Sequence, residues 1–162
     1  MLVVLLLIVI YTDGRWLRIP NVVTYPAMLV GLFLGAFEGL PGSPFAGGFL
    51  DHLVALVIAF AFSYPFYAAG GLKAGDAKLL MAIGAVRGSV FLLYAAVYGA
   101  LIGGVLAVGF IAVRRLRQPA DGAPANTLSG VMKTSMPYGI ALGLGGLLAL
   151  ALEAASIIHV SA

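Results

Sequence analysis

The sequence has no cysteine, a single tryptophan and little charge of either sign. Without cysteine there is no disulfide, no thiolate metal site and no cysteine nucleophile. Only 9% of the 162 residues are charged, nine Lys and Arg against six Asp and Glu, while 62% are hydrophobic. The mean hydropathy is +1.11. An ordinary soluble domain is about 45–50% apolar and about 25% charged. This chain lacks the polar surface that a water-soluble core needs, and it is far too apolar for intrinsic disorder. The composition implies one integral membrane domain over residues 1–162. Long unbroken apolar runs favour helices over a barrel, whose strands alternate apolar and polar residues. The expected fold class is all-α, a polytopic membrane protein. The formal charge of +3 is not gathered into one basic cluster, so no nucleic-acid partner is expected.

Six hydrophobic segments are expected, near Met1–Thr12, Val22–Phe37, Leu53–Gly70, Ala77–Val86, Val90–Val113 and Met136–Leu152. At about 1.5 Å per residue, a twelve-residue helix covers about 18 Å of a hydrocarbon core about 30 Å thick. The first and fourth segments are therefore expected to end within the membrane or in a recess. The longest polar stretch, Arg114–Ser135, carries Pro119, Gly122, Pro124 and Gly130 and reads as a loop. The first segment lacks the basic start and small-residue cleavage site of a signal peptide. Asp13, Arg15 and Arg18 follow it directly, so it is expected to be retained.

Six spans sort the loops into two sets. One holds Arg15, Arg18, Lys73, Lys78, Arg114, Arg115, Arg117 and Lys133; the other holds only Arg87. By the positive-inside rule the crowded side is cytoplasmic and both termini face outward. Glu38, Asp51, His52 and Glu153 then fall on the outer side. Tyr11, Trp16, Tyr64, Tyr67 and Tyr138 lie near segment ends, as interfacial aromatics do.

Four of the acids have ordinary readings. Asp121 sits in the Gly/Pro loop, Glu38 and Glu153 sit at outer span ends, and Asp51 reads as an N-cap with His52 as an interfacial bystander. Asp13 and Asp76 differ. Each stands at an end of a short segment, on the same side of the membrane, although 63 positions (76 − 13) separate them. Two readings stay open at this point: interfacial residues, one of them a helix cap, or a pair facing a common recess.

A pair has a definite chemistry. Two carboxylates in one site do not both ionise easily, so one keeps a proton. The ionised one takes a proton from water as it attacks a carbonyl; the protonated one polarises that carbonyl and then donates. The two titrate as a unit. No metal or cofactor is needed. Asp13 ends its helix and Asp76 opens the next, so the helix ends assign Asp76 as base and Asp13 as proton holder. Gly75 lets backbone turn and approach closely beside Asp76, and Gly70 and Gly71 are expected to make the preceding loop mobile.

The segment Asp13-Gly14-Arg15-Trp16-Leu17-Arg18-Ile19-Pro20-Asn21 resembles the first active-site motif of type IV prepilin peptidases. Gly70 to Leu79 resembles the second, a glycine-rich loop ending in Gly-Asp-x-Lys-Leu, and Met136-Pro137-Tyr138-Gly139 resembles the start of that family's last span. The resemblance implies a six-span GxGD-type intramembrane aspartyl protease with Asp13 and Asp76 as the catalytic pair. It implies a pilin-like precursor as partner, with a basic leader and a hydrophobic helix, cleaved on the cytoplasmic side of the inner membrane. Short members, the tight-adherence (Flp-type) and archaeal preflagellin peptidases, are the most similar. Lys73 stands where the family's Gly-x-Gly-Asp has its first glycine. The cysteine-bearing region of the long, bifunctional members is missing, so peptidase activity is implied and methyltransferase activity is not.

Other residues have structural readings. Asn21 is an expected N-cap with Pro20 setting the chain direction, and both support the Asp13 loop. Lys78, two residues after Asp76, falls on another helix face and reads as a topological anchor; Lys73 is an anchor or a neighbour of the site. Gly99, Gly103, Gly104, Gly139, Gly143, Gly145 and Gly146 read as close-packing sites, and as a face for a homodimer. Two rival functions fit the same composition: a proton- or cation-coupled transporter or channel, and a catalytically silent membrane assembly factor.

Overall fold

The computed structural model describes residues 1–38, 48–117 and 138–158. These residues form five helices: α1 (Leu2–Trp16), α2 (Asn21–Glu38), α3 (Gly48–Ala68), α4 (Ala74–Arg117) and α5 (Tyr138–Ala154). Asp121, Lys133, Met136 and Pro137, with most of the expected Arg114–Ser135 loop, lie outside the described residues. The all-α expectation holds. Five helices stand where six were expected among the described residues, because the fourth and fifth segments join across a break at Gly88 as α4. Two stretches, Gly48–Ala68 and Ala74–Gly109, are long and apolar enough to cross a membrane, while Asn21–Phe37 and Tyr138–Ala154 are shorter apolar helices.

The two segments merge because their expected loop shrinks to one residue. Gly88 has φ 79° and ψ −176°, a combination open essentially to glycine alone. A side chain there is excluded twice over, since a Cβ would stand 2.0 Å from Asp51 Oδ2. Asp51 is therefore not the cap of its own helix. Helix α3 starts at Gly48, earlier than expected, and Asp51 accepts hydrogen bonds from the Ser89 N–H (3.1 Å) and the Ser89 hydroxyl. It caps the second arm of α4. His52 is no bystander either: it is buried, with Nδ1 2.9 Å from the Ala85 carbonyl oxygen. Glu153 is ion-paired with Arg87, whose guanidinium also lies 5.1 Å from the centre of the Phe91 ring. Asp51, His52 and Glu153 thus fasten α3 and α5 to the break in α4.

The helices are apolar on every side, so small residues decide which face is buried. Gly31 of α2 would bring a Cβ within 2.3 Å of the Ala85 carbonyl oxygen, and Gly84 would meet Ala55 of α3 at 3.0 Å. On α5, Gly143 and Gly146 face Ile10 and Leu6 of α1, while Gly145 faces the Gly99 backbone of α4. Helix α5 is therefore wedged between α1 and the second arm of α4. Among the described residues, α1 packs on α5 and only lightly on α2. These glycines serve packing within the chain. Gly104 departs from the expectation, with nothing within 4 Å of an added Cβ.

This contrast gives a direct test of the packing. In Gly145→Ala the new methyl would lie 2.3 Å from the Gly99 nitrogen, a backbone atom that cannot yield alone. Overpacking of this kind costs about 1–3 kcal/mol. Gly145→Ala is expected to melt several degrees below the parent in detergent, and Gly104→Ala to melt with it.

Candidate active site

Helix α1 buries Leu2, Leu5, Leu6, Val9, Thr12 and Asp13, a single stripe at helical spacing. Asp13 is the polar end of that stripe and is only 1% exposed. Its Oδ2 accepts a hydrogen bond from the Ile140 N–H at 3.2 Å, in the first turn of α5. The helix runs on past Asp13 and stops at Leu17, which takes a left-handed conformation (φ 52°) with its N–H on the Asp13 carbonyl at 2.9 Å. A non-glycine residue in that region costs roughly 1–2 kcal/mol. The local strain sits one turn from the carboxylate.

The second carboxylate is placed by two helix ends. Gly70, with φ +76°, ends α3: its N–H donates to the Tyr67 carbonyl at 3.0 Å, and Gly71 N–H donates to the Phe66 carbonyl at 2.9 Å. This paired pattern is a Schellman stop. Gly70 and Gly71 thus form an ordered helix terminus, where the sequence suggested a mobile loop. Lys73 then starts α4, its carbonyl accepting from the Asp76 and Ala77 N–H groups. In return the Lys73 N–H donates to Asp76 Oδ2 at 3.2 Å, one half of a capping box. The cap uses only the Lys73 backbone, which has no positive φ, so lysine replaces the family's glycine without strain. Asp76 is 2% exposed and shares its face of α4 with Leu79, Leu80 and Ile83, all buried.

Asp13 and Asp76 lie within electrostatic reach of each other. The capping reading of Asp76 is met, and the cap does not exclude pairing with Asp13. The helix-end division of labour does not survive, because Asp13 also meets the positive N-terminus of α5, as Asp76 meets that of α4. Ile19 wedges between the two strands of the site. A Cβ on Gly75 would stand 3.1 Å from Ile19 Cβ, and one on Gly139 would stand 2.9 Å from Ile19 Cδ1 and 2.8 Å from Asp13 Oδ2. Gly75 thus admits the Ile19 side chain at close range, rather than a second backbone, and Gly139 does the same on the opposite wall.

Pro20, not Asn21, takes the capping position of α2, since its carbonyl accepts from the Val23 and Thr24 N–H groups. Asn21 is the first helical residue, and its side-chain oxygen accepts from Lys78 Nζ at 3.0 Å. Lys78 also stands 5.1 Å from the centre of the Tyr25 ring. The lysine expected as an anchor therefore ties α4 to the start of α2.

Three site neighbours had no functional reading in the sequence: Ile19, Ile140 and Tyr138. The Tyr138 ring lies against Gly103, where an added Cβ would stand 3.0 Å from Tyr138 Cε2. Its signal was the adjacent Gly139, a glycine at the start of an apolar run. Among the described residues no group of three His, Cys, Asp or Glu could hold a metal ion. A separate apolar cavity of about 400 Å³ between α3 and α4, lined by Ile58, Phe62, Leu80 and Ala96 among others, contains neither carboxylate.

The family model described as the type IV leader peptidase family matches residues 1–108, which include both aspartates, and the chain belongs to that family. No curated protein and no solved structure matches.

Proposed function

We propose that this member of the leader peptidase family is a membrane-embedded aspartyl endopeptidase that uses Asp13 and Asp76 to cleave the short basic leader of a pilin-like precursor. The observation that carries the reading is the pair itself: two carboxylates from distant parts of the chain, 1% and 2% exposed, within electrostatic reach of each other. Isolated carboxylates are rarely buried this fully without a function. One of the pair, ionised, accepts a proton from the attacking water. The other, protonated, polarises the scissile carbonyl and then gives its proton to the leaving amine. Cleavage adds one water across the peptide bond and restores one proton to the pair.

The membrane setting is supported by what the helices leave uncovered. Val22, Leu29, Leu50 and Val105 are each at least 70% exposed, a surface suited to lipid. We read α4 as two crossings joined at Gly88. Its 44 residues would reach about 66 Å if straight, against a core about 30 Å thick. Leu80, before the break, and Ala96, after it, line one cavity against α3, which suits two arms lying side by side. That gives six crossings of the inner membrane. Exposed Arg15 and Arg18 flank the Asp13 end of α1, which orients the site toward the cytoplasm.

The test uses purified protein in a bilayer and a precursor bearing a basic leader and an apolar helix. The expected result is a shortened product, with mass spectrometry placing the cut after the leader. Proton or cation flux without cleavage would favour a transporter and overturn the reading. Folded protein that neither cleaves nor conducts would favour the silent assembly factor.

A further inference from the structure

We propose that the apolar furrow between α3 and the two arms of α4 seats the precursor's hydrophobic helix while its leader is cut. The proposal rests on the aspartyl peptidase reading above. The furrow is the cavity of about 400 Å³ that contains neither carboxylate. Its walls start together and run side by side. The hydrogen bonds of Asp51 with Ser89 pin α3 to the second arm beside the Gly88 break. Phe62 and Ala100 stand eleven residues further along their helices (62 − 51 and 100 − 89), and both line the furrow. Eleven helical residues cover about 16 Å, roughly half of the hydrocarbon core. Leu80 and Ala96, each eight residues from Gly88 (88 − 80 and 96 − 88), meet in the same furrow. Asp76 and Ala100 each stand twelve residues from Gly88 (88 − 76 and 100 − 88). With the arms side by side, the furrow therefore ends at the depth of Asp76. Leu80, in its lining, is one turn from Asp76 on the same face of α4.

The relief is that of a helix seat. Ile58 and Phe62 on α3, and Leu93 and Val97 on the second arm, are pairs at i, i+4 spacing, each at least 47% exposed. Between these ridges Ala59, Leu80 and Leu92 are buried, and the small side chain of Ala96 keeps the channel open. Two ridges with a low strip between them accept the i, i+4 ridge of a third helix. A cavity of about 150 Å³ holds one benzene ring, so this one takes about two or three large apolar side chains. The polar member of the lining, Ser89, has its hydroxyl taken by Asp51. The seat thus matches a purely apolar ridge, and an acyl chain has no such repeat to match. The precursor brings that ridge in the required direction. Its basic leader stays in the cytoplasm, so its helix leaves the carboxylates outward, from the depth of Asp76 toward the Gly88 break.

The experiment uses the full chain in a bilayer, with precursors carrying single cysteines along the apolar helix. The chain has no cysteine, so Val97→Cys places one thiol at the edge of the furrow. With a mild oxidant it is expected to form disulfides with precursor positions recurring about every 3.6 residues. Leu29→Cys, exposed on α2, is the control and is expected to form none. Ala96→Phe fills the furrow and is expected to raise KM about tenfold with kcat unchanged, an effect on binding alone. Leu93→Ala lowers one ridge without crowding the fold and is expected to raise KM as well. If Val97→Cys links no better than Leu29→Cys and both KM values match the parent, lipid fills the furrow and the proposal is overturned. Links between two copies of this chain, in place of links to the precursor, overturn it too and mark a dimer face. A folded parent that cleaves nothing overturns the peptidase reading and this proposal with it, an outcome distinct from cleavage without a link.

Discussion

Replacing either Asp13 or Asp76 by asparagine is expected to lower kcat by about 10⁴-fold without lowering Tm, the upper range for loss of a general acid or base. Asparagine is close in shape to aspartate and keeps a carbonyl oxygen. That oxygen can still accept from the Ile140 N–H at position 13 and from the Lys73 N–H at position 76. What it loses is the proton that, in the proposed mechanism, the pair exchanges with water and leaving group. In that mechanism the two residues act as a unit, so the double variant is expected to be no slower than the slower single one. Removing a carboxylate from a site 1–2% exposed also removes a costly buried charge. The folded state is therefore expected to hold, and a melting curve on each variant checks it. Cleavage at the parent rate by either folded variant would remove that residue from the chemistry.

The legibility of this site in the sequence follows from where charge is expensive. Asp13 and Asp76 stood out because each ends an apolar run too short to reach the far interface. Depth in the membrane can be read from such runs, since hydropathy changes along the chain. Direction around a helix cannot, because these helices are apolar on all faces. Asp51, His52, Arg87 and Glu153 were thus grouped by depth, yet their partners were missed. The contacts of Asp51 with Ser89, of His52 with Ala85 and of Arg87 with Glu153 all depend on helix rotation. The same holds for Tyr138, whose rotation sets its ring against Gly103. Helix ends were read less well than helix cores. The stop at Leu17 rests on a left-handed leucine, a residue that gives no such signal, and the turn at Gly88 replaces a whole loop with one residue.

Gly139→Ala is expected to cost about 100-fold in cleavage through geometry alone, with both aspartates intact. The added Cβ would stand 2.8 Å from Asp13 Oδ2, 2.9 Å from Asp13 Cγ and 2.9 Å from Ile19 Cδ1. Neither neighbour has room to give. The Asp13 carboxylate is held by the N–H of the very next residue, Ile140, so it cannot slide away without losing that bond. Ile19 is backed by Gly75, where an added Cβ would already be only 3.1 Å distant. The contact must therefore be relieved by moving the carboxylate or tilting the start of α5. A misplacement of about 1 Å at a reacting group costs about 10²-fold, because it spoils the angle of attack rather than binding. The loss should fall on kcat, with KM little changed. Gly14→Ala is the control: its Cβ would meet only Ile140 Cδ1, at an ordinary 3.5 Å, and cleavage should stay near the parent rate. Equal rates for the two variants would mean that the glycine at the head of α5 does not set the position of Asp13, and that the pair is held from elsewhere.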